Sequence, residues 1–114
     1  MIKIHQIQLT EAQVDLINAE GHDAVPAQSA KLAVSFFGAS KFKAEDFAFY
    51  TEAYEVNTTD LDEAFEATNL WNKQSIVDVV GDRNYSTSTG DIMELNGEFF
   101  MVEMCGFEKI EVAA

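Results

Sequence analysis

Two strand-like segments joined by Asn96-Gly97 constrain the fold of this chain more than any other feature. Asn-Gly favours a two-residue type I′ turn, because both central positions of that turn need a positive φ angle. We therefore predict an antiparallel hairpin of Ile92–Leu95 and Glu98–Met104, followed by a third strand. Apolar side chains alternate onto both sides of Glu98–Met104, which is typical of a strand that is covered on both faces and lies centrally in its sheet.

The residues before this hairpin predict further helices and strands. Thr10 and Gln13 have the spacing of a capping box, so we predict a helix at Glu11–Glu20 that ends at Gly21. Ala30–Phe37 fits a strand by its alternation and a helix by its alanine content, and we favour the helix. We also predict a strand at Ile2–Leu9, in which the apolar alternation slips in phase between Ile4 and Ile7; this slip indicates either a bulge or burial on both faces. The other predicted elements are a loop at His22–Ser29, a short helix at Lys43–Tyr50, strands at Thr51–Asn57 and Ile76–Val80, and a helix at Asp60–Leu70.

The predicted helix at Asp60–Leu70 has the clearest amphipathic pattern in the chain. Thr59 has the position of an N-cap, and the acids of the first turn suit the positive end of the helix dipole. We expect Phe65 and Trp71 to be buried and the glutamates of the same helix to be exposed. The inward face comprises Leu61, Ala64, Phe65, Thr68 and Trp71.

Together these elements predict one compact α+β domain over residues 1–114, with a single antiparallel sheet of four to five strands and two to three packed helices. No apolar run approaches the ~18 residues of a membrane span, and the first residues lack a signal-peptide pattern. Cys105 is the only cysteine, which excludes an intramolecular disulfide and suits a reducing compartment. We therefore expect a cytoplasmic protein.

The series Ser86–Ile92 (Ser-Thr-Ser-Thr-Gly-Asp-Ile), followed by an aromatic strand and by Gly106-Phe107, resembles the YodL-like domain and related small proteins of phages and mobile elements. Leu61–Phe65, leading to Asn69, is similar to the helix that those domains place before their Ser-x-Ser-x-Gly-Asp segment. The resemblance covers residues 59–112 and departs at 84–85, where the family usually has a basic and aromatic lead-in. It implies a fold and a phage or plasmid setting, and the family has no established biochemical activity to carry over.

The formal net charge of −13 is unevenly distributed along the chain. Residues 1–43 hold four acids and four lysines, whereas residues 44–72 hold eight acids and no lysine or arginine. Residues 73–114 hold eight acids against three bases. Such a field repels nucleic acid and anionic membranes and attracts basic surfaces.

We expect the eight acids of residues 44–72 to form one partner-binding face. Four of them lie on the helix at Asp60–Leu70, and its inward apolar stripe leaves their carboxylates on the exposed side. The other four precede this helix closely enough to extend the same patch. The expected contact residues are Glu45, Asp46, Glu52, Glu55, Asp60, Asp62, Glu63 and Glu66.

The sequence has only weak matches to the residue patterns of catalytic and metal-binding sites. His5, His22 and Cys105 have no recognisable metal-ligand spacing, and Cys105 follows an apolar strand, so we expect a buried structural thiol. Neither Asp60–Glu63 nor Asp82–Glu94 meets the calcium-loop pattern. We predict no catalytic, cofactor-binding or metal-ligating residue.

The Ser/Thr-rich segment Ser86–Asp91 lacks the lysine and the following helix of a phosphate-binding loop. We interpret it as a polar loop with a Gly-Asp turn that leads into a strand. A partner-binding loop is the alternative interpretation of the same residues.

The sequence favours a small, acidic, non-enzymatic binding protein, encoded by a phage or mobile element, that engages a basic surface of a host macromolecule. The sharper version of this hypothesis is a nucleic-acid mimic that inhibits a nucleic-acid-binding host protein, such as a restriction or other defence nuclease. The alternative is a structural or accessory protein whose acidity serves only solubility, and a small enzyme is the least favoured class. The protein itself is not expected to bind nucleic acid or membrane.

Overall fold

A six-stranded antiparallel sheet forms the centre of the computed structural model, which describes residues 1–70, 73–81 and 85–113. The strand order is β3-β2-β1-β4-β5-β6. The strands are β1 (Ile2–Ile7), β2 (Tyr50–Val56), β3 (Val77–Val79), β4 (Ile92–Leu95), β5 (Glu98–Val102) and β6 (Phe107–Ile110). The helices are α1 (Glu11–Glu20), α2 (Pro26–Phe37) and α3 (Leu61–Leu70), with short 3-10 helices at His22–Ala24, Gly38–Lys41, Ala44–Phe49 and Gln74–Ile76.

The predicted fold class, α+β with a single antiparallel sheet, is confirmed, but the predicted number of elements is too low. The described sheet has six strands instead of four to five, and its two edge strands, β3 and β6, correspond to the strand predicted at Ile76–Val80 and to the third strand predicted after the hairpin. Three α-helices and four 3-10 helices in the described ranges also exceed the predicted two to three helices. No helix in these ranges has both the length and the apolar character that crossing a membrane requires.

The predicted hairpin is confirmed. Asn96 and Gly97 have φ angles of 54° and 80°, and the ladder between β4 and β5 runs from Ile92 opposite Met101 to Leu95 opposite Glu98. However, β5 ends at Val102, and it is the second strand from one edge. The prediction that this strand is central in the sheet was wrong, because β1 pairs with both β2 and β4 and so lies in the middle of the sheet.

Each face of the sheet packs against its own set of helices. On one face, called here the α3 face, Ile2, Ile4 and Tyr54 pack with Ala64 and Ala67 of helix α3. On the other, the α2 face, helix α2 and the 3-10 helix at residues 44–49 pack on the sheet through a second cluster. That cluster includes Ile7, Ala27, Val34, Tyr50, Ile92 and Met101.

Strand β1 is covered on both faces of the sheet. Its ladder with β4 is regular, and Ile2 and Ile4 pack on the α3 face while Ile7 packs on the α2 face, so the phase slip in the sequence reflects burial on both faces. The register shift between β1 and β2 at Ile4 and His5 is a bulge in β2. Ala53 and Tyr54 on β2 are consecutive and both fully buried on the α3 face, as expected when two residues oppose one.

The predicted capping box of α1 is present, since Gln13 N donates to Thr10 Oγ1 over 3.1 Å and Thr10 N donates to Gln13 Oε1 over 2.8 Å. Ala30–Phe37 is helical as favoured, but α2 begins earlier, at Pro26, so the predicted loop at residues 22–29 was wrong in its second half. Proline at the first helical position costs no hydrogen bond there.

Helix α3 is capped by Asp60 and not by Thr59. Asp60 Oδ1 accepts hydrogen bonds from the backbone N–H groups of Asp62, over 2.9 Å, and Glu63, over 3.4 Å. Phe65 is only partly buried, less than predicted, and meets the ring of Phe107 edge-on. The expectation for Trp71 falls outside the described residues.

Candidate functional site

A row of charged side chains crosses the part of the α2 face that lies beyond helix α2. Lys3 lies directly opposite Glu55 on one side and Glu94 on the other, and Glu55 is paired in turn with Asp78. Residues paired in this way project to the same face of a sheet, and Ile2 and Ile4 already define the α3 face. We call this surface the charged face: Lys3, His5, Glu52, Glu55, Asp78 and Glu94.

His5 joins the charged face to a group of aromatic rings. Its Nε2 lies 3.0 Å from Glu94 Oε1, and its ring meets Phe47 edge-on with the centroids 5.1 Å apart. The centroid of Phe99 lies 6.4 Å from that of His5, and Phe47 and Phe99 meet edge-on at 5.3 Å. The imidazole therefore stands between a carboxylate and two apolar rings.

The same two phenylalanines line a cleft of about 720 Å³. Its lining is mostly apolar, with one carboxylate from Glu45. We call it the aromatic cleft: Glu45, Phe47, Ala48, Tyr50, Phe99, Val112 and Ala113. A concave apolar surface beside a few polar groups is the usual form of a binding site, so the cleft and the charged face together are the candidate site.

The carboxyl of Glu52 lies in an unfavourable electrostatic environment. Burial raises the pKa of its carboxyl, the charge of Glu55 raises it further, and Lys3 partly opposes both effects. In its protonated form the Glu52 carboxyl hydrogen-bonds to that of Glu55, and within the described ranges no other group donates to its buried Oε1. A cationic group placed beside Glu52 would offset this cost.

The structure divides the eight acids predicted to form one patch. Glu52 and Glu55 lie on the charged face and Glu45 lines the aromatic cleft, while Asp46 accepts a hydrogen bond from Lys43 N over 3.2 Å. The remaining four, Asp60, Asp62, Glu63 and Glu66, belong to α3 and its cap on the opposite side of the sheet. The two groups of acids are close in sequence but lie on opposite sides of the sheet, because the chain passes from β2 to the α3 face between them.

Three of these four acids, Asp60, Glu63 and Glu66, already have structural partners. Asp60 caps the helix, and Lys73 Nζ lies 3.1 Å from Glu63 Oε2 and 3.9 Å from Glu66 Oε2. Hydrogen bonds from Thr58 and Lys73 lower the pKa of Glu63. These carboxylates therefore stabilise the helix and its lysine neighbour as well as facing solvent.

Sequence reasoning missed His5, Glu94, Phe47 and Phe99 as site residues. The available signal was the alternation of Lys3 and His5 with buried isoleucines in β1, which places both on the α2 face. Glu94 and Phe99 lie opposite each other in the hairpin that the sequence did predict. The pairing of β1 with β4, which unites them with His5, has no local signal.

The Ser/Thr-rich loop is held by buried hydrogen bonds. Thr87 is buried and its Oγ1 lies 2.6 Å from Thr68 Oγ1, while Asp91 Oδ2 accepts from Ser88 N over 2.9 Å and from Gln6 Nε2 over 3.1 Å. Although part of Asp91 reaches solvent, the dense surroundings of its carboxyl raise its pKa to about 7. This geometry matches a structural turn that leads into β4.

Gly90 within this turn is required by its conformation and its neighbours. Its φ angle is 96°, and a Cβ atom there would lie 2.8 Å from Val34 Cγ2. Its carbonyl accepts a hydrogen bond from Tyr50 Oη over 2.6 Å. The turn is therefore fixed to α2 and β2 at once.

Cys105 is exposed, so the prediction of a buried thiol was wrong. The reason is that β5 ends at Val102, and the residues after it form a turn in which Glu103 N donates to Gly106 O over 3.0 Å. The described ranges contain no group of three or more His, Cys, Asp or Glu residues arranged to hold a metal ion. Comparisons with protein-family models, with curated proteins and with solved structures returned no match.

Proposed function

We propose that this is a non-enzymatic acidic binding protein that engages a basic surface of another macromolecule through the charged face. The observation that carries the proposal is the row formed by Asp78, Glu55, Lys3 and Glu94 across four neighbouring strands, with one lysine against three carboxylates. Carboxylates held on a rigid sheet at strand spacing present an ordered negative surface. Such a surface steers a basic partner towards it and speeds association.

The dimensions of the molecule support the sharper version, a mimic of nucleic acid. The chain measures 41 × 26 × 26 Å between its Cα extremes and has a net charge of −13. Its long axis equals about 12 phosphate spacings along one strand of duplex DNA, at 3.4 Å each. A groove of lysines and arginines built for a duplex would meet a body of comparable length and the same sign of charge.

The resemblance of residues 59–112 to YodL-like domains supports a phage or mobile-element setting. We propose that the partner is a nucleic-acid-binding protein in the host cytoplasm, such as a restriction or other defence nuclease. The protein itself would bind neither nucleic acid nor anionic membrane, since both carry its own sign of charge.

The test is capture of proteins from a host lysate on the immobilised chain over a series of salt concentrations, with identification by mass spectrometry. We expect the captured proteins to be nucleic-acid-binding, to be released by salt and to be displaced by duplex DNA. Capture that resists both salt and DNA, or no capture of basic proteins, would instead favour an accessory protein whose acidity serves solubility.

A pair of charge-matched variants locates the contact face on a purified partner. The variant Glu52→Gln, Glu55→Gln, Glu94→Gln removes three charges from the charged face, and Asp62→Asn, Glu63→Gln, Glu66→Gln removes three from α3. We expect the first to slow association by about tenfold or more at low salt and the second to slow it less. The reverse order would place the contact face on α3, which is one part of the patch predicted from the sequence.

A further inference from the structure

The proposed function accounts for the charged face, but it gives no role to the aromatic cleft beside it. We propose that the aromatic cleft binds one large apolar side chain of a basic peptide segment, with lysine or arginine on either side of that anchor. This inference rests on the proposed function, because it specifies which segment of a basic partner docks on this surface. It adds an apolar requirement that a pure phosphate mimic would not have.

The size and walls of the cleft fit an aromatic anchor. Its volume of about 720 Å³ lies within the range of about 300–1,000 Å³ that is usual for ligand pockets. Phe47 and Phe99 meet edge-on and are both only partly buried, so part of each ring is accessible to a third ring, although Phe47 already stacks on Tyr50. Ala48 is exposed and small, which leaves the entrance open.

The charges around the cleft select a cationic segment. Glu45 belongs to the lining and is exposed. On the side of His5, Glu94 lies 3.0 Å from the imidazole that contacts Phe47 and Phe99, and Glu52 lies opposite His5 on the neighbouring strand. An extended peptide advances about 3.3 Å per residue, so residues flanking a bound anchor can reach carboxylates on both sides.

The same charges argue against other occupants. Nucleic acid and acidic peptides would bring negative charge to Glu45, Glu52 and Glu94. A second copy of this chain carries the same net charge of −13. An uncharged apolar ligand would gain nothing from the carboxylates, whereas aromatic side chains and arginine are the residues that most often anchor protein interfaces.

The experiment is a titration of the ¹⁵N-labelled chain with acetyl-Lys-Trp-Lys-amide at low salt, followed by NMR. We expect shift changes at Phe47, Ala48, Phe99 and Val112, and about tenfold weaker binding of acetyl-Lys-Gly-Lys-amide. Acetyl-Glu-Trp-Glu-amide should not bind. Equal affinity for the tryptophan and glycine peptides, or shifts confined to other surfaces, would overturn the proposal.

Variants test the two parts of the site separately. Ala48→Trp fills the cleft from an exposed position, so it should reduce binding of acetyl-Lys-Trp-Lys-amide by about tenfold while the chain stays folded. Glu45→Gln with Glu94→Gln should weaken binding and flatten its salt dependence. The control Asp15→Asn with Glu20→Gln removes the same charge from exposed positions of α1 and should change little. Full binding by the Ala48→Trp variant would exclude the cleft as the site.

The outcome is distinguishable from that of the proposed function. If Ala48→Trp captures the salt-sensitive partner from lysate as well as the unmodified chain does, the anchor inference fails and the acidic binding function remains. If the tryptophan peptide binds in the cleft but no basic protein is captured, the proposed function fails and the peptide site remains.

Discussion

The charged face and the exposed side of α3 both carry clustered carboxylates, but the two groups differ in their interaction partners. On α3, Asp60 caps the helix and Lys73 pairs with Glu63 and Glu66. On the charged face, Glu94 pairs with His5, but Glu52 has no ion-pair partner among the described residues: burial and the neighbouring Glu55 raise its pKa, and its hydrogen bond is to a second carboxyl. Acidic density in a sequence is therefore a poor guide to function until the structure shows which acids already have a partner.

The largest expected effect concerns Asp91, the last residue of the turn that leads into β4. Its pKa is raised from 3.8 to about 7, so the folded state keeps the proton that the unfolded state has lost between those values. Stability should fall as the pH rises from about 4 to 7 and then level off, by about 2–4 kcal/mol in total. Asp91→Asn should remove most of this slope, measured by urea unfolding across that range. An unchanged slope would show that Asp91 is already ionised in the fold.

The second prediction compares one substitution on each face. Phe65→Ala should lower the free energy of unfolding by about 2–3 kcal/mol, below the range of about 3–5 kcal/mol for a fully buried phenylalanine, because this ring is only partly buried. Ala48→Trp on the α2 face should change it by less than about 0.5 kcal/mol, because Ala48 is exposed. Chemical denaturation of both variants measures the difference. Similar losses would mean that the cleft is part of the core and not a free surface.

The third prediction compares the carboxylate that caps α3 with a carboxylate of the charged face. Asp60→Ala should cost about 1 kcal/mol, because two backbone N–H groups at the start of α3 lose their acceptor. Glu94→Gln should cost less than about 0.5 kcal/mol, since an amide oxygen can still accept from His5. Thermal unfolding of the two variants gives the comparison. A larger loss for Glu94→Gln would make the charged face a structural element.

The smallest expected effect is that Glu52 and Glu63 change the pH dependence of stability with opposite signs. The pKa of Glu52 is raised, so its contribution to stability is lost as the pH rises above its ordinary value of 4.5. The pKa of Glu63 is lowered, so its contribution is lost as the pH falls below that value. Glu52→Gln and Glu63→Gln should therefore change the pH dependence of unfolding in opposite directions. Changes of the same sign would remove the electrostatic distinction between the two faces.

Local chemistry made part of this fold predictable. Asn96-Gly97 determines a turn by its φ angles, and Thr10 with Gln13 determines a helix start by two hydrogen bonds. Both signals lie within four residues and need no tertiary contact. Cys105 was misjudged because nothing local shows that β5 ends at Val102.

The candidate site was less predictable, because it exists only through pairing between distant strands. Lys3, Glu55 and Glu94 meet because β1 pairs with both β2 and β4. The acids of residues 44–72 looked continuous in sequence, but the sheet lies between Glu52 and Glu63. The net charge could be obtained from the composition, whereas the division of the acids between the two faces of the sheet depends on the pairing register of the strands.

The position of β1 also has a consequence for how the chain acquires its structure in time. Among the strands, β1 is synthesised first, yet its neighbour β2 begins 43 residues after β1 ends and its neighbour β4 begins 85 residues after it. Pairing across such long separations slows folding, because the loops must close before the contacts form. Until β4 emerges, β1 keeps one unpaired edge and its buried isoleucines stay partly uncovered. The nascent chain therefore passes through a long interval in which β1 is an exposed apolar segment, to which a chaperone or another nascent chain can bind.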